Sequence, residues 1–171
     1  MGKVGNFFKS VGKSIASTFT GNYDGTNGND NIHLLAISTT IHTKHGHDKI
    51  YGVGGGLKVR DDSGHLDLYG AAIGVDVRKY QWGNIYFAGA AGSSYVESKG
   101  TGNIYFAGAA GSSRVKKYGN GEITFKGVAG HSDTYQSGDG NLYFAGAAGY
   151  AKVRKYGNGE ITFKRLFVKK R

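Results

Sequence analysis

The chain has 171 residues, a formal net charge of +10, 31 glycines, no proline and no cysteine. This length suits one domain with its own core, and the lack of cysteine excludes disulfides, thiolate metal sites and cysteine nucleophiles. Aromatic and β-branched residues recur in phase with the glycines, which is not typical of a flexible low-complexity linker.

Residues 1–20 have apolar side chains at helical spacing, with lysines beside them. The apolar positions are Val4, Phe7, Phe8, Val11, Ile15 and Phe19. This pattern predicts an N-terminal amphipathic helix. Two roles are open: a cap over the first turn of a repeat stack, or membrane insertion through Phe7, Phe8 and Phe19.

Residues 21–63 predict two turns of 18 residues, with corners that begin at Gly28 and Gly46. Asp30 and Asp48 follow these glycines as in the calcium-binding nonapeptide of parallel β-rolls. Calcium needs six or more oxygen ligands, and only these two carboxylates are in phase. A structural calcium or simple aspartate turn chemistry therefore remains open. We do not expect calcium to be required for folding, and no other cofactor is predicted.

A histidine cluster overlaps the second of these turns: His42, His45 and His47 precede Asp48. Such spacing is compatible with zinc or nickel binding. The same residues at a solvent-facing corner need no ligand, and would make the surface sensitive to pH.

Residues 64–164 repeat with a step of nineteen, marked by Gly64, Gly83, Gly102, Gly121, Gly140 and Gly159. Within each repeat, alternate residues are apolar, which is strand periodicity. The sequence therefore predicts an all-β fold, a single-stack, parallel β-roll-like solenoid with 18 or 19 residues per turn and about seven turns. The predicted inward residues are Leu66, Leu68, Ile85, Phe87, Ile104, Phe106, Ile123, Phe125, Leu142, Phe144 and Val153.

The charge is uneven: residues 77–171 hold fifteen basic and five acidic side chains, whereas residues 1–76 hold seven of each. Stacking is expected to align nine basic residues into an anionic-surface-binding stripe: Arg78, Lys79, Lys99, Arg114, Lys116, Lys117, Lys152, Arg154 and Lys155. Such a stripe attracts lipid head groups or acidic polymers. The alternative is a solvated face that keeps the solenoid soluble.

Tyrosines also recur at outward positions, as in Tyr86, Tyr105 and Tyr143. They are predicted either to stabilise the sheet as a ladder or to form a surface for sugar or membrane contact. At residues 165–171 the corner motif gives way to a basic tail, which either caps the stack or precedes further repeats. No activated nucleophile or phosphate-binding loop is present in the sequence, so we expect no enzyme.

Several motifs resemble the amino-terminal glycine-rich repeat arm of the multifunctional-autoprocessing RTX toxins of Gram-negative bacteria. They are FTGNY at 19–23, GNDNI at 28–32, IHTKHGHDKIYG at 41–52, DDSGHLDLYGAA at 61–72 and the repeated FAGAAG. The resemblance implies a secreted, non-catalytic repeat region that contacts the host membrane or cell surface.

An adhesin-like or matrix solenoid that binds glycan or lipopolysaccharide is the alternative function. Self-association through the open ends of the solenoid is a further expectation for such a stack. Specific nucleic-acid binding is not expected, because only the high isoelectric point favours it.

Overall fold

A computed structural model describes residues 14–164, and these residues form one parallel sheet of eleven strands. The strands are β1 (Ser14–Asp24), β2 (Asn31–Thr43), β3 (His47–Asp61), β4 (His65–Lys79), β5 (Ile85–Ser98), β6 (Ile104–Tyr118), β7 (Ile123–Phe125), β8 (Val128–Ser137), β9 (Leu142–Phe144), β10 (Ala147–Tyr156) and β11 (Ile161–Phe163). Strand β6 pairs with both β7 and β8, because the later turns are divided into two shorter strands.

Each strand pairs with the strand one turn later along the chain. Ile50 lies opposite Leu68, and Leu68 lies opposite Phe87. Between β1 and β2 the step between equivalent residues is 17 up to Phe19 and 18 from Thr20; it is 18 from β2 to β4 and 19 from β4 onward. The predicted all-β solenoid, with 18 or 19 residues per turn and about seven turns, is confirmed.

The N-terminal part of the chain differs from the prediction. Residues 14–20 were expected to end a helix, but they belong to β1, where Phe19 lies opposite Ala36. The segment is rich in threonine and other strand-favouring residues, and its pairing covers the free edge of β2. The helix prediction is therefore wrong for these residues. Residues 1–13, with Phe7 and Phe8, and the tail at 165–171 lie outside the described residues.

The core is a column of inward side chains from both halves of each turn. The rings of Phe87, Phe106, Phe125 and Phe144 stack with centroids 4.5–4.8 Å apart. Val96 and Val115 belong to the same buried cluster and approach from the other half of their turns. All the predicted inward residues are buried except Val153, which is partly buried in the last turn.

The corners need glycine and asparagine for different reasons. Gly83 has a φ of 114°, and a Cβ atom there would overlap the carbonyl oxygen of Gly64 in the preceding turn. Asn84 accepts a hydrogen bond from the backbone N–H of Asn103 at 2.8 Å, and Asn103 repeats this with Glu122 at 2.8 Å. Side-chain amides thereby satisfy corner N–H groups that have no place in the strand ladder.

Candidate functional site

The nine basic residues of the predicted stripe do not share one face. Lys79 and Lys117 are 0% exposed and point into the solenoid. Lys79 donates to the carboxylate of Asp61, and Lys117 Nζ donates to the carbonyl of Gly100 at 2.9 Å. Burial lowers the pKa of Lys117 to about 8. Their assignment to an anionic-surface-binding stripe is wrong.

These lysines belong to an inner polar column, in which each turn places one residue opposite the next. Its members are Thr43, Asp61, Lys79, Ser98, Lys117, Gln136 and Lys155. Lys155, in the last turn, donates to the carbonyls of Gly157 at 3.1 Å and Asn158 at 2.6 Å. A signal was available in the sequence: each lysine of this column follows an inward valine by two positions, and strand alternation puts both on one side.

The outward basic residues alternate with acids. Arg78 lies 3.1 Å from Asp76 and 3.9 Å from Glu97, both measured from Nε to a carboxylate oxygen. Asp133 lies between two arginines, 3.6 Å from Arg114 and 2.9 Å from Arg154.

Two outward lysines approach tyrosine rings instead of carboxylates. Lys116 lies over the ring of Tyr95, and Lys99 lies over the ring of Tyr80 at the corner, each at 5.8 Å from the centroid. Lys152 is exposed on the outward face of β10. With the neighbouring arginines paired to acids, this face is an ion-pair ladder, and the solvated-face alternative describes most of it.

Asp30 and Asp48 lie in the interior, where the backbone of the turns uses them. Asp30 accepts hydrogen bonds from the N–H and the hydroxyl of Thr26 at 2.7 and 2.9 Å. Asp48 Oδ1 accepts the N–H of Asp30 at 2.9 Å, while its Oδ2 has no partner among the described residues. Within residues 14–164, no group of three or more histidine or acidic residues has the arrangement of a metal site. This geometry supports turn chemistry for the pair.

Asp48 is therefore a buried acid with half of its carboxylate unsatisfied. Burial is the main cause that raises the pKa of Asp48 to about 7, against the opposing hydrogen bond from Asp30. Asp61 and Lys79 also face it, and burial raises the pKa of Asp61 above its ordinary value. Burial also raises the pKa of Tyr23, and the nearby charges of Asp30 and Asp48 raise it further.

The three histidines of the predicted cluster have separate partners. His42 lies 3.2 Å from Asp62 and 3.9 Å from Asp24. His47 contacts Asp67 at 2.9 Å. His45 contacts the hydroxyl of Ser63 at 2.5 Å. Because they do not converge on one point, the surface-histidine alternative fits the structure.

The sequence reasoning missed an exposed aliphatic edge at the corner where the strands bend. The aliphatic edge consists of Leu35, Ile37, Val53 and Ile73, which are 57–76% exposed. Leu35 lies opposite Val53, while Ile37 and Ile73 belong to β2 and β4, so the four side chains occupy three consecutive turns. Later turns have alanine or glycine at these positions apart from Val128, and this change in residue size was the available signal.

A run of stacked rings lies beside the aliphatic edge, on the outward face of the first half of each turn. It passes through His33, Tyr51, Tyr69, Tyr86 and Tyr105, with centroids 4.8–5.6 Å apart; the rings of Tyr69 and Tyr86 are tilted by 47°, and the other neighbours are stacked. Stacking covers the ring faces and leaves ring edges toward solvent. The ladder interpretation of the tyrosines is therefore supported.

A groove of about 610 Å³ runs along the same face. His47, Asp67, Asn84, Tyr86, Asn103 and Tyr105 are among its lining residues.

No helix among the described residues is long and apolar enough to cross a membrane. Comparison with protein-family models, curated proteins and solved structures returned no match.

Proposed function

We propose that this chain is a non-catalytic repeat arm, of the kind found in multifunctional-autoprocessing RTX toxins, that contacts the host cell membrane. The aliphatic edge is the observation that carries the proposal. Four large aliphatic side chains, each more than half exposed on adjacent turns, are unusual on a monomeric surface and are typical of an interaction site.

The neighbours of the aliphatic edge suit the boundary between lipid and water. Tyr51 lies two residues before Val53 and Tyr69 lies four residues before Ile73, and tyrosine is favoured at the level of lipid head groups. Lys58 is exposed five residues after Val53, in the second half of the same turn, and is suited to contact lipid phosphates. Insertion of each aliphatic side chain contributes on the order of 1 kcal/mol. The solenoid then lies on the bilayer and does not span it.

Sedimentation with vesicles tests this proposal. The full chain is mixed with phosphatidylcholine vesicles that contain about 30% phosphatidylserine, an anionic lipid of the inner leaflet that also models a general anionic surface. The test variant is Ile37→Ser with Ile73→Ser. The control is Trp82→Ser, which removes a side chain of 58% exposure at the opposite corner. We expect the double variant to lose binding about tenfold and the control to bind like the native chain.

Two results would overturn the membrane proposal: no binding by the native chain, or equal binding by the double variant. The single tryptophan adds an independent readout, because Trp82 lies at the corner away from the aliphatic edge. Its emission is expected to stay unchanged when the edge docks. A blue shift on binding would show that the other corner enters the bilayer.

A glycan-binding adhesin or matrix solenoid is the second candidate, favoured by the groove beside the stacked rings. The groove presents amide, carboxylate and phenol groups, the polar groups that fix sugar hydroxyls in binding sites. Titration calorimetry with lipopolysaccharide-derived polysaccharide tests it. Tyr86→Phe with Tyr105→Phe keeps the rings and removes the hydroxyls. Loss of polysaccharide binding with retained vesicle binding would favour this candidate.

A further inference from the structure

We propose that a second copy of this chain covers the aliphatic edge in solution. The two copies form an antiparallel dimer, in which the large side chains of each copy lie against small residues of the other. The contact is the bend corner, the line along which the successive strands bend between the two halves of each turn. The inference goes beyond the proposed function and does not rest on it.

The bend corner is apolar along its whole described length. Seven consecutive turns each contribute three residues to it, and none of these residues has a polar side chain. They are residues 35–37, 53–55, 71–73, 90–92, 109–111, 128–130 and 147–149. A continuous apolar strip of this length is typical of an interaction surface. Two copies can meet along it without burying an unpaired charge.

The two ends of the bend corner differ in residue size. In β2, β3 and β4 the aliphatic edge protrudes, with Ile37 and Ile73 at 72% and 76% exposure. From β5 onward the side chains are small, and a groove of about 560 Å³ continues along the same line. Ala90, Gly92, Ala109 and Gly111 are among the residues that line it. One end of the corner is therefore a ridge and the other a groove.

One symmetry operation brings each ridge onto a groove. A twofold axis in the plane of the contact and across the stack reverses the order of turns in the second copy, and each column of the corner then faces the same column. With the axis between β4 and β5, the second copy places Gly92 against Ile73, Ala109 against Val53 and residue 130 against Ile37. Both copies share one turn spacing of about 4.8 Å, so all these pairs are in phase.

The column before the bend repeats the match of large against small. Tyr51 and Tyr69 belong to the same column as Ala88 and Ala107 in the later turns. The same axis therefore places Tyr69 against Ala88 of the second copy and Tyr51 against Ala107. Large residues that meet small ones at every level allow the two surfaces to pack at the density of a protein interior.

The size pattern also decides the orientation. In a parallel dimer each turn would face the same turn of the second copy, so Ile37 would meet Ile37 and Ile73 would meet Ile73. Those ridges would hold the two grooves apart and leave the alanines and glycines of β5 and β6 without contacts. Gaps of this kind forfeit packing energy, so the antiparallel arrangement is favoured.

The area of the contact predicts its strength. Six turns at about 4.8 Å give a length of about 29 Å, and the five residue steps from His33 to Ser38 give a width of about 17 Å. The dimer would thus bury about 500 Å² per copy and about 1,000 Å² in total, which is the lower limit for a specific interface. We therefore expect a dimer that dissociates on dilution, and a bilayer that competes for the same side chains.

Sedimentation equilibrium of the full chain without lipid, from about 1 to about 100 μM, tests the dimer. The average mass should rise with concentration from 18.2 kDa toward twice that value. The test variant is Ala109→Glu, which changes an exposed residue of the groove and leaves the aliphatic edge intact. It puts two unpaired carboxylates into the contact and should weaken the dimer at least about 100-fold. The matched control is Gln81→Glu, which adds the same charge beside Trp82 at the opposite corner.

Disulfide trapping tests the orientation, because the native chain has no cysteine. Val53→Cys and Ala109→Cys are made in separate chains. Within one chain these positions lie three turns apart, about 14 Å, which is too far for a disulfide. We expect a cross-linked dimer when the two variants are mixed and oxidised, and little from either variant alone. Cross-linking of each variant with itself would indicate the parallel dimer.

Each outcome has a consequence. A monomer at all concentrations overturns the inference and leaves the membrane proposal to the vesicle assay. A dimer that Ala109→Glu does not weaken, or that cross-links only between identical variants, also overturns it. Loss of the dimer in Phe163→Glu but not in Ala109→Glu would show association through the last described turn, where Phe163 is 49% exposed. If circular dichroism shows that Ala109→Glu is unfolded, the cysteine pair decides alone.

Discussion

Lys79 and Asp61 form an ion pair in the interior of the solenoid, one turn apart, with both side chains fully buried. Thr43 adds a hydrogen bond to the other oxygen of Asp61 at 3.0 Å. A buried pair of this kind requires both partners, since either charge alone is strongly disfavoured in the interior.

Replacement of one partner is therefore expected to be severe. Lys79→Met should lower the free energy of unfolding by about 3–5 kcal/mol, because it leaves Asp61 buried without its cation. Urea unfolding followed by circular dichroism measures the loss. Lys79→Met with Asp61→Leu should recover most of it, and the exposed Lys99→Met is the control. A loss for Lys79→Met no greater than that for Lys99→Met would contradict the pairing.

Lys117 should behave differently, because a carbonyl and not a carboxylate is its partner. Burial depresses the pKa of Lys117 to about 8. The stability that Lys117 contributes is therefore present above its ordinary pKa near 10.5 and is lost as the pH falls through 8. Gln136 occupies the next position of the inner polar column and donates to the carbonyl of Gly121 at 2.8 Å.

Lys117→Gln is therefore expected to be neutral or stabilising at pH 7, by up to about 2 kcal/mol. The gain should shrink as the pH approaches about 10, where the native lysine is neutral. Thermal unfolding at both pH values measures this. A strong loss of stability at neutral pH would show that the charge of Lys117 is needed.

Asp48 should make the protein less stable as the pH rises through neutrality. Its pKa is raised to about 7, so the stability it contributes is complete below its ordinary pKa near 4 and is lost as the pH rises through 7. Asp48→Asn keeps the shape and removes the titration. The native chain should lose on the order of 1–2 kcal/mol more than the variant between about pH 6 and pH 8. Parallel pH profiles for the two proteins would refute this assignment.

Phe106 should be among the most sensitive positions of the core, because its ring is stacked between Phe87 and Phe125. Phe106→Ala is expected to cost about 3–5 kcal/mol of unfolding free energy. Its neighbour Tyr105 points outward and supplies the comparison through Tyr105→Ala. Chemical denaturation of both variants tests whether Phe106 faces the core and Tyr105 faces solvent. A larger loss of stability in Tyr105→Ala than in Phe106→Ala would contradict this assignment.

The repeat itself could be predicted from the sequence. The nineteen-residue step of Gly83, Gly102 and Gly121, together with alternation around Phe87 and Phe106, defines turns, corners and inward columns. In a solenoid each turn contacts mainly its neighbours, so the periodic pattern contains nearly all the contacts that build the stack.

Which side chains the solenoid presents to solvent was decided by the bend of each strand, although the spacing of the buried lysines from the inward valines already indicated part of it. Inward and outward positions exchange where each strand bends. Phe87 and Val96 therefore face the same core although they lie an odd number of residues apart. This change of phase puts Lys79 and Lys117 inside and leaves Ile37 and Ile73 outside. Side-chain chemistry alone favours the reverse, because lysine is a surface residue and isoleucine a core residue in most proteins.

The N-terminal segment shows the same limit. The spacing of Ile15 and Phe19 fits a helix, and the β-branched residues around them fit a strand equally well. Pairing with Asn31–Thr43 decided between them, because the open edge of β2 gains a full ladder of backbone hydrogen bonds from a strand and none from a helix. Local sequence thus determined the repeat, while the bend of each strand and the need to pair a free edge determined which residues the protein presents to its surroundings.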